Sequence, residues 1–339
     1  MIETVTRPHR DNLVRWAEHR PEVLVLSADL TASCEADGFR DAYPDRFFSM
    51  GMAEQNMIGF AAGLAREGFT PFVHTFAVFL TRRPFDQVAM SIAYPNLPVR
   101  LFGFLPGITT PGGVTHQAID DIALMRCIPN MTVLECGDAT DVEAMLDLAQ
   151  GISGPVYVRM LRGEVPRLFP ADDPPLLGQS RNLGPVDEGA DIAVISSGIC
   201  TEEAQRAVSA LRDLGLAISH LHCTTLKPFG DPGLEAAIAS ARLGVITLEN
   251  HSTIGGLGSA VAELMAERGI GRRLIRLGLQ DTYAHGASQA YLMREYGLDA
   301  MALVRAAEDL TATRLGLTED TLAAVRVETL AAADKIEDL

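Results

Sequence analysis

The sequence contains no CxxC pair, and its five cysteines (Cys34, Cys127, Cys136, Cys200 and Cys223) are odd in number. A disulfide framework or a cysteine zinc site is therefore not what organises the chain. The thiols read as reduced and mostly buried, in a reducing compartment. No apolar run reaches membrane-spanning length, which excludes a helical span. The first residues, Met1 to Arg10, are polar and lack the apolar centre of a secretory signal, so a cytoplasmic protein is the expectation. Basic charge is also scarce: 28 Lys and Arg stand against 44 Asp and Glu, a formal net charge of −16. Nucleic acid is not an expected partner, because a phosphate backbone needs a basic face. The acidic excess keeps a protein soluble and by itself identifies no partner. Internal repeats and low-complexity tracts are missing too.

What is present suits two cores. The 339 residues exceed one ordinary domain, and 47% hydrophobic content can fill both. Short apolar runs recur at Val23–Ser27, Pro71–Phe76, Val99–Phe104, Met131–Glu135 and Val156–Met160. A second series comprises Ile192–Ser196, Ala217–His222, Gly244–Leu248 and Leu274–Leu277. Helical periodicity marks Gln55–Arg66, Ala139–Ala149, Thr201–Leu214 and Ser259–Arg268. Strands apolar on both faces, alternating with helices, predict an α/β protein with two doubly wound parallel-sheet domains. The stretch Pro166–Gly189 breaks the rhythm with five prolines and three glycines and predicts an interdomain linker. The expected division is 1–169, a linker over 170–190, and 191–339.

Three segments carry candidate chemistry. In Ser49-Met-Gly-Met-Ala-Glu54-Gln-Asn-Met, one carboxylate opens a helix rich in Ala and Gly. Taken alone, Glu54 reads as a first-turn acid that complements the helix dipole. Held against an apolar wall, it would also suit proton exchange with a bound heterocycle. In His74-Thr-Phe76-Ala-Val-Phe79, two aromatics spaced by three read either as core packing or as a slot for a planar ring. In Gly112-Gly-Val-Thr-His116-Gln, a histidine follows a glycine-rich loop and is either an ordinary loop residue or a donor and acid/base. The Gly255-Gly-Leu-Gly258-Ser run lacks the strand, helix and ribose acid of a dinucleotide site and predicts close helix packing. His220 and His222 share one strand face, with Cys223 on the other; two ligands of three predict a structural role and no metal site.

The order Ser27-Ala-Asp29-Leu-Thr, Gly51-Met-Ala-Glu54-Gln-Asn-Met, Phe76-Ala-Val-Phe79, Thr115-His116-Gln and Thr225-Leu-Lys-Pro-Phe229 resembles the C-terminal two-thirds of the transketolase family. It is similar in particular to the separately encoded C-terminal subunits of split transketolases. The resemblance runs from about Thr6 to Leu298. It implies a pyrimidine-binding domain followed by a transketolase C-terminal domain, thiamine diphosphate as cofactor, and transfer of a two-carbon ketol unit from a ketose to an aldose. Glu54 then hydrogen-bonds N1′ of the aminopyrimidine and activates the cofactor. Phe76 and Phe79 surround that ring, with Phe79 stacking on it, and Asp29 and Leu30 lie near the cofactor. Arg7, Ser33, His116 and Arg162 fall on substrate-binding positions, with His116 assisting proton transfer.

The same resemblance implies a partner. Family members hold Mg²⁺ and the diphosphate with a Gly-Asp-Gly…Asn signature in an N-terminal domain. Here the nearest run is Gly137-Asp138-Ala139, without the second glycine, so no metal site is expected in this chain. An N-terminal subunit would supply the Mg²⁺ ligands, around a dimeric core of this chain, giving a heterotetramer. Two alternatives share the cofactor: the β component of a 2-oxoacid dehydrogenase, and a deoxyxylulose-phosphate synthase. A third is a non-catalytic assembly paralogue. Finally, the family loop before the THQ motif carries a His where Phe104 stands and an Asp where Gly112 stands. Loss of two charge-assisted contacts, each worth roughly 1.5–3 kcal/mol, disfavours an ordinary ketose phosphate. Phe104 is expected to add an apolar face to the pocket and Gly112 to add room. A branched pentulose phosphate such as apulose 4-phosphate, or a sulfonated ketose, is the expected kind of substrate.

Overall fold

The computed structural model describes residues 3–184 and 189–325. Its first half holds β1 (Thr4–Thr6), β2 (Val23–Ser27), β3 (Phe47–Ser49), β4 (Thr70–Phe76), β5 (Arg100–Phe104), β6 (Thr132–Glu135), β7 (Val156–Met160) and β8 (Glu164–Pro166). The second holds β9 (Ser180–Asn182), β10 (Ile192–Ser196), β11 (Ile218–Cys223), β12 (Thr225–Lys227), β13 (Gly244–Ser252) and β14 (Leu274–Leu279). Every residue of β2, β4, β5, β6, β7, β10 and β11 is buried. Such strands need helices on both faces, and each main sheet is built of parallel neighbours closed by one antiparallel edge strand. The orders are β12-β6-β7-β5-β4-β2-β3 and β14-β13-β10-β11-β9. Helix Glu54–Arg66 packs one apolar layer on the first sheet, while helices Pro8–Ala17 and Ala139–Gln150 pack the opposite one.

The four expected helices fall within two residues of those observed at either end. The proline-rich stretch departs from expectation. Pro166 closes β8, which pairs with β1, and β9 forms the antiparallel edge of the second sheet. Both are edge strands of three residues, where a missing amide donor is tolerated. Residues 185–188, with Pro185, lie outside the described residues, as do Met1, Ile2 and the C-terminal stretch 326–339.

The two halves interlock. Strand β12 leaves the second half to pair with β6 at the edge of the first sheet. Strand β13 runs on past the expected Leu248 to Ser252, whose N–H donates to the Ile119 carbonyl at 2.9 Å. Between them lies a fully buried guanidinium, Arg159, ion-paired with Asp121 at 2.8 Å and with Glu135. It also donates to the carbonyls of Ala118 and Asn250, and the Tyr157 hydroxyl donates to Asp121. A buried charge persists only when paired and hydrogen-bonded in this way.

Several motifs find purely structural uses. Asp138 caps helix Ala139–Gln150 through the Asp141 N–H and also accepts from Leu168 and Phe169. His222 bonds Thr201 and Asp141, His220 bonds Ser196, and no group of three potential ligands gathers among the described residues. The Gly255–Gly258 run is close packing: a side chain at Gly255 would overlap Ala123, and one at Gly256 would overlap Glu249. Glu249 accepts from the Leu257 and Gly258 amides, capping the helix that follows. No described helix is long and apolar enough to cross a membrane.

Candidate active site

Most candidate residues sit just beyond the carboxyl ends of the parallel strands of the first sheet, where crevices of open α/β sheets bind ligands. Asp29 and Leu30 follow β2, Glu54 follows β3, Phe76 ends β4, and Arg162 follows β7. Arg7 arrives by another route, after β1, and its N–H donates to the Gly163 carbonyl at 2.6 Å.

Glu54 opens helix Glu54–Arg66 after a turn in which Gly51 takes φ 67°. The buried face of that helix is Met57, Ile58, Ala61, Ala62 and Ala65, which pins its first turn against the sheet. The Glu54 side chain is only 4% exposed. Its Oε1 accepts a 2.7 Å bond from Nη1 of Arg83, whose guanidinium carbon lies 4.0 Å from the centre of the Phe79 ring. Phe76 ends a strand and Phe79 lies one helical turn on, so their rings stack, 5.9 Å apart and 24° from parallel. The His116 ring meets Phe79 edge-on at 5.3 Å and Phe76 at 6.3 Å. A cavity of about 450 Å³ opens here, lined by Met52, Ala53, Glu54, Gln55, Asn56 and Arg83. The three segments singled out in the sequence thus converge.

His116 is placed by the second half of the chain. Gly107, at φ 60°, lies so close to Asn250 that any side chain there would overlap it. Asn250 uses both ends of its amide on this turn: Nδ2 donates to the Pro106 carbonyl at 3.0 Å and Oδ1 accepts from the Ile108 N–H at 2.9 Å. Gln117 Nε2 donates to the His285 carbonyl, and Gly113 passes against Gly286. Nδ1 of His116 is bonded to the Thr115 hydroxyl at 2.9 Å. Among the described residues Nε2 has no protein partner and is the nitrogen left for a ligand.

Two expectations about this loop need correction. Phe104 does not line a pocket: it is fully buried, stacked on His74 at 5.9 Å and against His9 at 5.5 Å. The room beside Gly112 is already filled, since a side chain there would stand 3.0 Å from His116 Cβ and Cγ. Glycine at 112 lets the histidine lie close to the loop. Beneath, His9 and His74 face each other, Nε2 to Nε2, at 2.9 Å. The Phe72 carbonyl fixes the proton of His74 on Nδ1, so Nε2 of His74 accepts and His9 donates. Burial lowers both: His74 falls to about 4, and His9 falls well below its ordinary value, helped by His74 itself.

Arg7, Ser33 and Arg162 come together around the loop after β2. Arg162 donates to the Ser33 carbonyl at 3.0 Å, and Arg7 donates to the Ala32 carbonyl and to Asp37 at 2.8 Å. Glu35, buried at their base, accepts from the Gly163 and His9 amides. Burial raises the Glu35 carboxyl above its ordinary range, against the opposing pull of those amides. Asp29 is exposed at φ 68°, and Leu30 packs in the same apolar layer as Phe79.

Arg83, Asn250 and Glu35 were not read from the sequence. Only Arg83 left a trace there, as the second of two arginines that follow the Phe-x-x-Phe pair after Leu80 and Thr81. The residues present fit the aminopyrimidine half of thiamine diphosphate: a flat aromatic wall, a carboxylate at its edge and a histidine opposite. Among the described residues no group of three His, Cys, Asp or Glu side chains gathers that could hold a metal ion.

Residues 5–167 match the family described as transketolase, pyrimidine binding domain, and residues 184–303 match transketolase, C-terminal domain. The chain belongs to the transketolase family. The 6-deoxy-6-sulfo-D-fructose transketolase subunit SqwH of Clostridium sp. (strain MSTE9) is 39% identical over 89% of this chain and 92% of its own length. A putative transketolase C-terminal section of Methanocaldococcus jannaschii is 34% identical over 87% of this chain and 92% of its own. Against a 1-deoxy-D-xylulose-5-phosphate synthase of Thermomicrobium roseum the identity is 33%, and the chain spans only 46% of that relative. A solved structure titled split gene transketolase, inactive beta4 tetramer, superposes with a TM-score of 0.81 at 39% identity, covering 91% of this chain and 98% of that one. The chain is a transketolase subunit of the split kind, and these relatives favour that reading over the synthase.

Proposed function

We propose that this chain holds the aminopyrimidine of thiamine diphosphate at Glu54 and Phe79, and moves a two-carbon ketol unit from a ketose to an aldose together with a partner chain. The supporting observation is the convergence of a buried carboxylate, a stacked phenylalanine pair and a histidine ring: Arg83 pairs with Glu54 at the cavity and lies over Phe79, which His116 meets edge-on. When bound, the cofactor supplies the electron sink for carbon–carbon cleavage. Glu54 exchanges a proton at N1′, and Phe79 fixes the plane of the ring, with Phe76 behind it. Leu30 and Asp29 border the same crevice. Nε2 of His116 moves a proton at a substrate oxygen. Arg7 and Arg162, beside Ser33, hold the substrate's terminal anion, which guanidinium groups bind well.

The partner chain supplies Mg²⁺, its ligands and the diphosphate site. A second contact, between copies of this chain, uses the outer face of helix Glu54–Arg66. Gly59 and Gly63 stand on that face with nothing within 4 Å of where a side chain would be, and Met52 and Phe60 are exposed beside them. A glycine within a helix costs roughly 1 kcal/mol, which close approach of another chain would offset. A dimeric core with two partners makes a heterotetramer. The relative titled an inactive beta4 tetramer supports self-association of this kind of chain. Four thiols, Cys34, Cys136, Cys200 and Cys223, are buried and made less acidic by burial, which suits the reducing cytoplasm.

The substrate is a ketose with a terminal anion. The relative named for a sulfo-sugar moves a sulfonated ketose ahead of a branched pentulose phosphate as the first to assay. The reconstituted complex should transfer a ketol unit from one of these with a higher kcat/KM than from xylulose 5-phosphate to ribose 5-phosphate. A preference for that standard pair would overturn the reading of the substrate as a sulfonated or branched ketose.

A further inference from the structure

Arg83 makes both of the contacts assigned above to the aminopyrimidine. Its guanidinium carbon stands 4.0 Å from the centre of the Phe79 ring, and its Nη1 donates to Glu54 at 2.7 Å. The base of the side chain is held as well, since the Arg83 carbonyl accepts from Gln55 Nε2 at 3.1 Å. Its neighbour Arg82 is engaged elsewhere, bonded to both Asp120 oxygens at 3.0 Å. The Glu54 carboxylate is 4% exposed and the Arg83 side chain 49% exposed, so the acid is fixed in the wall while the base reaches it from the mouth of the cavity.

The chemistry of the two groups is alike. Guanidinium and the N1′-protonated 4-aminopyrimidine are both flat, cationic and delocalised, and each presents a face to an aromatic ring and an in-plane N–H to a carboxylate. One face of Phe79 and one carboxylate oxygen cannot serve both. The carboxylate also needs a partner while the cofactor is away, because an unpaired buried charge is costly. We propose that Arg83 is a built-in stand-in for the aminopyrimidine, pairing Glu54 and covering Phe79 until the cofactor displaces it, and so limiting cofactor affinity. This rests on the assignment of Glu54 and Phe79 to the pyrimidine ring. On binding, the half-exposed side chain moves out toward Met52 and Asn56, which line the same mouth.

The test is calorimetric titration of thiamine diphosphate, with saturating MgCl₂, into the complex with the N-terminal partner. Wild type is compared with Arg83→Ala, Arg83→Gln and Phe79→Ala, each checked for an unchanged melting curve. Removing a competing cation–π contact and a half-exposed ion pair should tighten binding about tenfold in Arg83→Ala. Arg83→Gln, which keeps bulk without charge, should also bind more tightly than wild type. Equal or weaker binding in both Arg83 variants, with Phe79→Ala weakened, overturns the stand-in and leaves the pyrimidine assignment intact. Unchanged affinity in Phe79→Ala overturns that assignment, and the stand-in with it.

Discussion

The two sides of the candidate site are finished to different degrees. The His116 side is closed within one chain: Asn250 and the His285–Gly286 segment come from the second domain and fix the loop from Pro106 to Gln117. The Glu54 side is open. Its wall is a helix whose outer face shows glycines and exposed apolar side chains, and its central carboxylate is met by a half-exposed arginine. A preorganised side can position substrate in a single chain. The open side is the one on which the proposed contact between copies of this chain would exclude water.

The contrast can be broken on either side. The largest effect is expected from Glu54→Gln, which keeps shape and hydrogen bonding but cannot exchange a proton. Turnover of the reconstituted complex should fall by about 10²–10⁴, while the melting temperature stays put because the lost ion pair is half exposed. A melting change with little loss of turnover would make Glu54 structural. Next comes Asn250→Ala, on the closed side. It strands a buried N–H and a carbonyl, at a cost of about 1–3 kcal/mol each. It should lower kcat while leaving cofactor affinity unchanged, since the loop it holds carries His116 and not the pyrimidine wall. A loss confined to stability, with kcat intact, would reduce Asn250 to a packing role.

The smallest effect concerns the histidine pair beneath the closed side. His74 has its pKa lowered to about 4 in the folded chain, against about 6.5 when unfolded. Between those values the unfolded chain takes up a proton that the native one refuses, so stability falls as pH drops from 6.5 toward 4. The loss reaches at most about 3 kcal/mol and levels off below pH 4. His74→Asn removes the titrating ring, so the stability gap between wild type and variant should narrow on acidification. Urea midpoints that keep the gap constant from pH 7.5 to 4.5 would mean that the pair is already protonated or already hydrated.

Much of this was legible in sequence, for physical reasons. Strands buried on both faces leave apolar runs such as Val156–Met160, and helices packed by one face leave a period, as in Glu54–Arg66. Glu54, Phe79 and His116 were readable because three short motifs keep a shared order. Asn250 was not, because the turn it holds lies 142–144 residues away and no local pattern links the two. Phe104 misled because its strand-end position says nothing of which face its ring takes, and here that face belongs to the His9–His74 pair. The strand β9 lay hidden in a proline-rich stretch, since a short edge strand needs only a neighbour to pair with.

The most direct test of the split site is whether the isolated chain can hold the cofactor. Thiamine diphosphate and MgCl₂ are titrated by calorimetry into this chain alone and into its complex with the N-terminal partner. The chain alone should show no measurable heat of binding and no ketol transfer, while the complex shows saturable, Mg²⁺-dependent binding together with activity. Tight Mg²⁺-dependent binding to the isolated chain would contradict the open-sided site and place the diphosphate and metal ligands within this polypeptide.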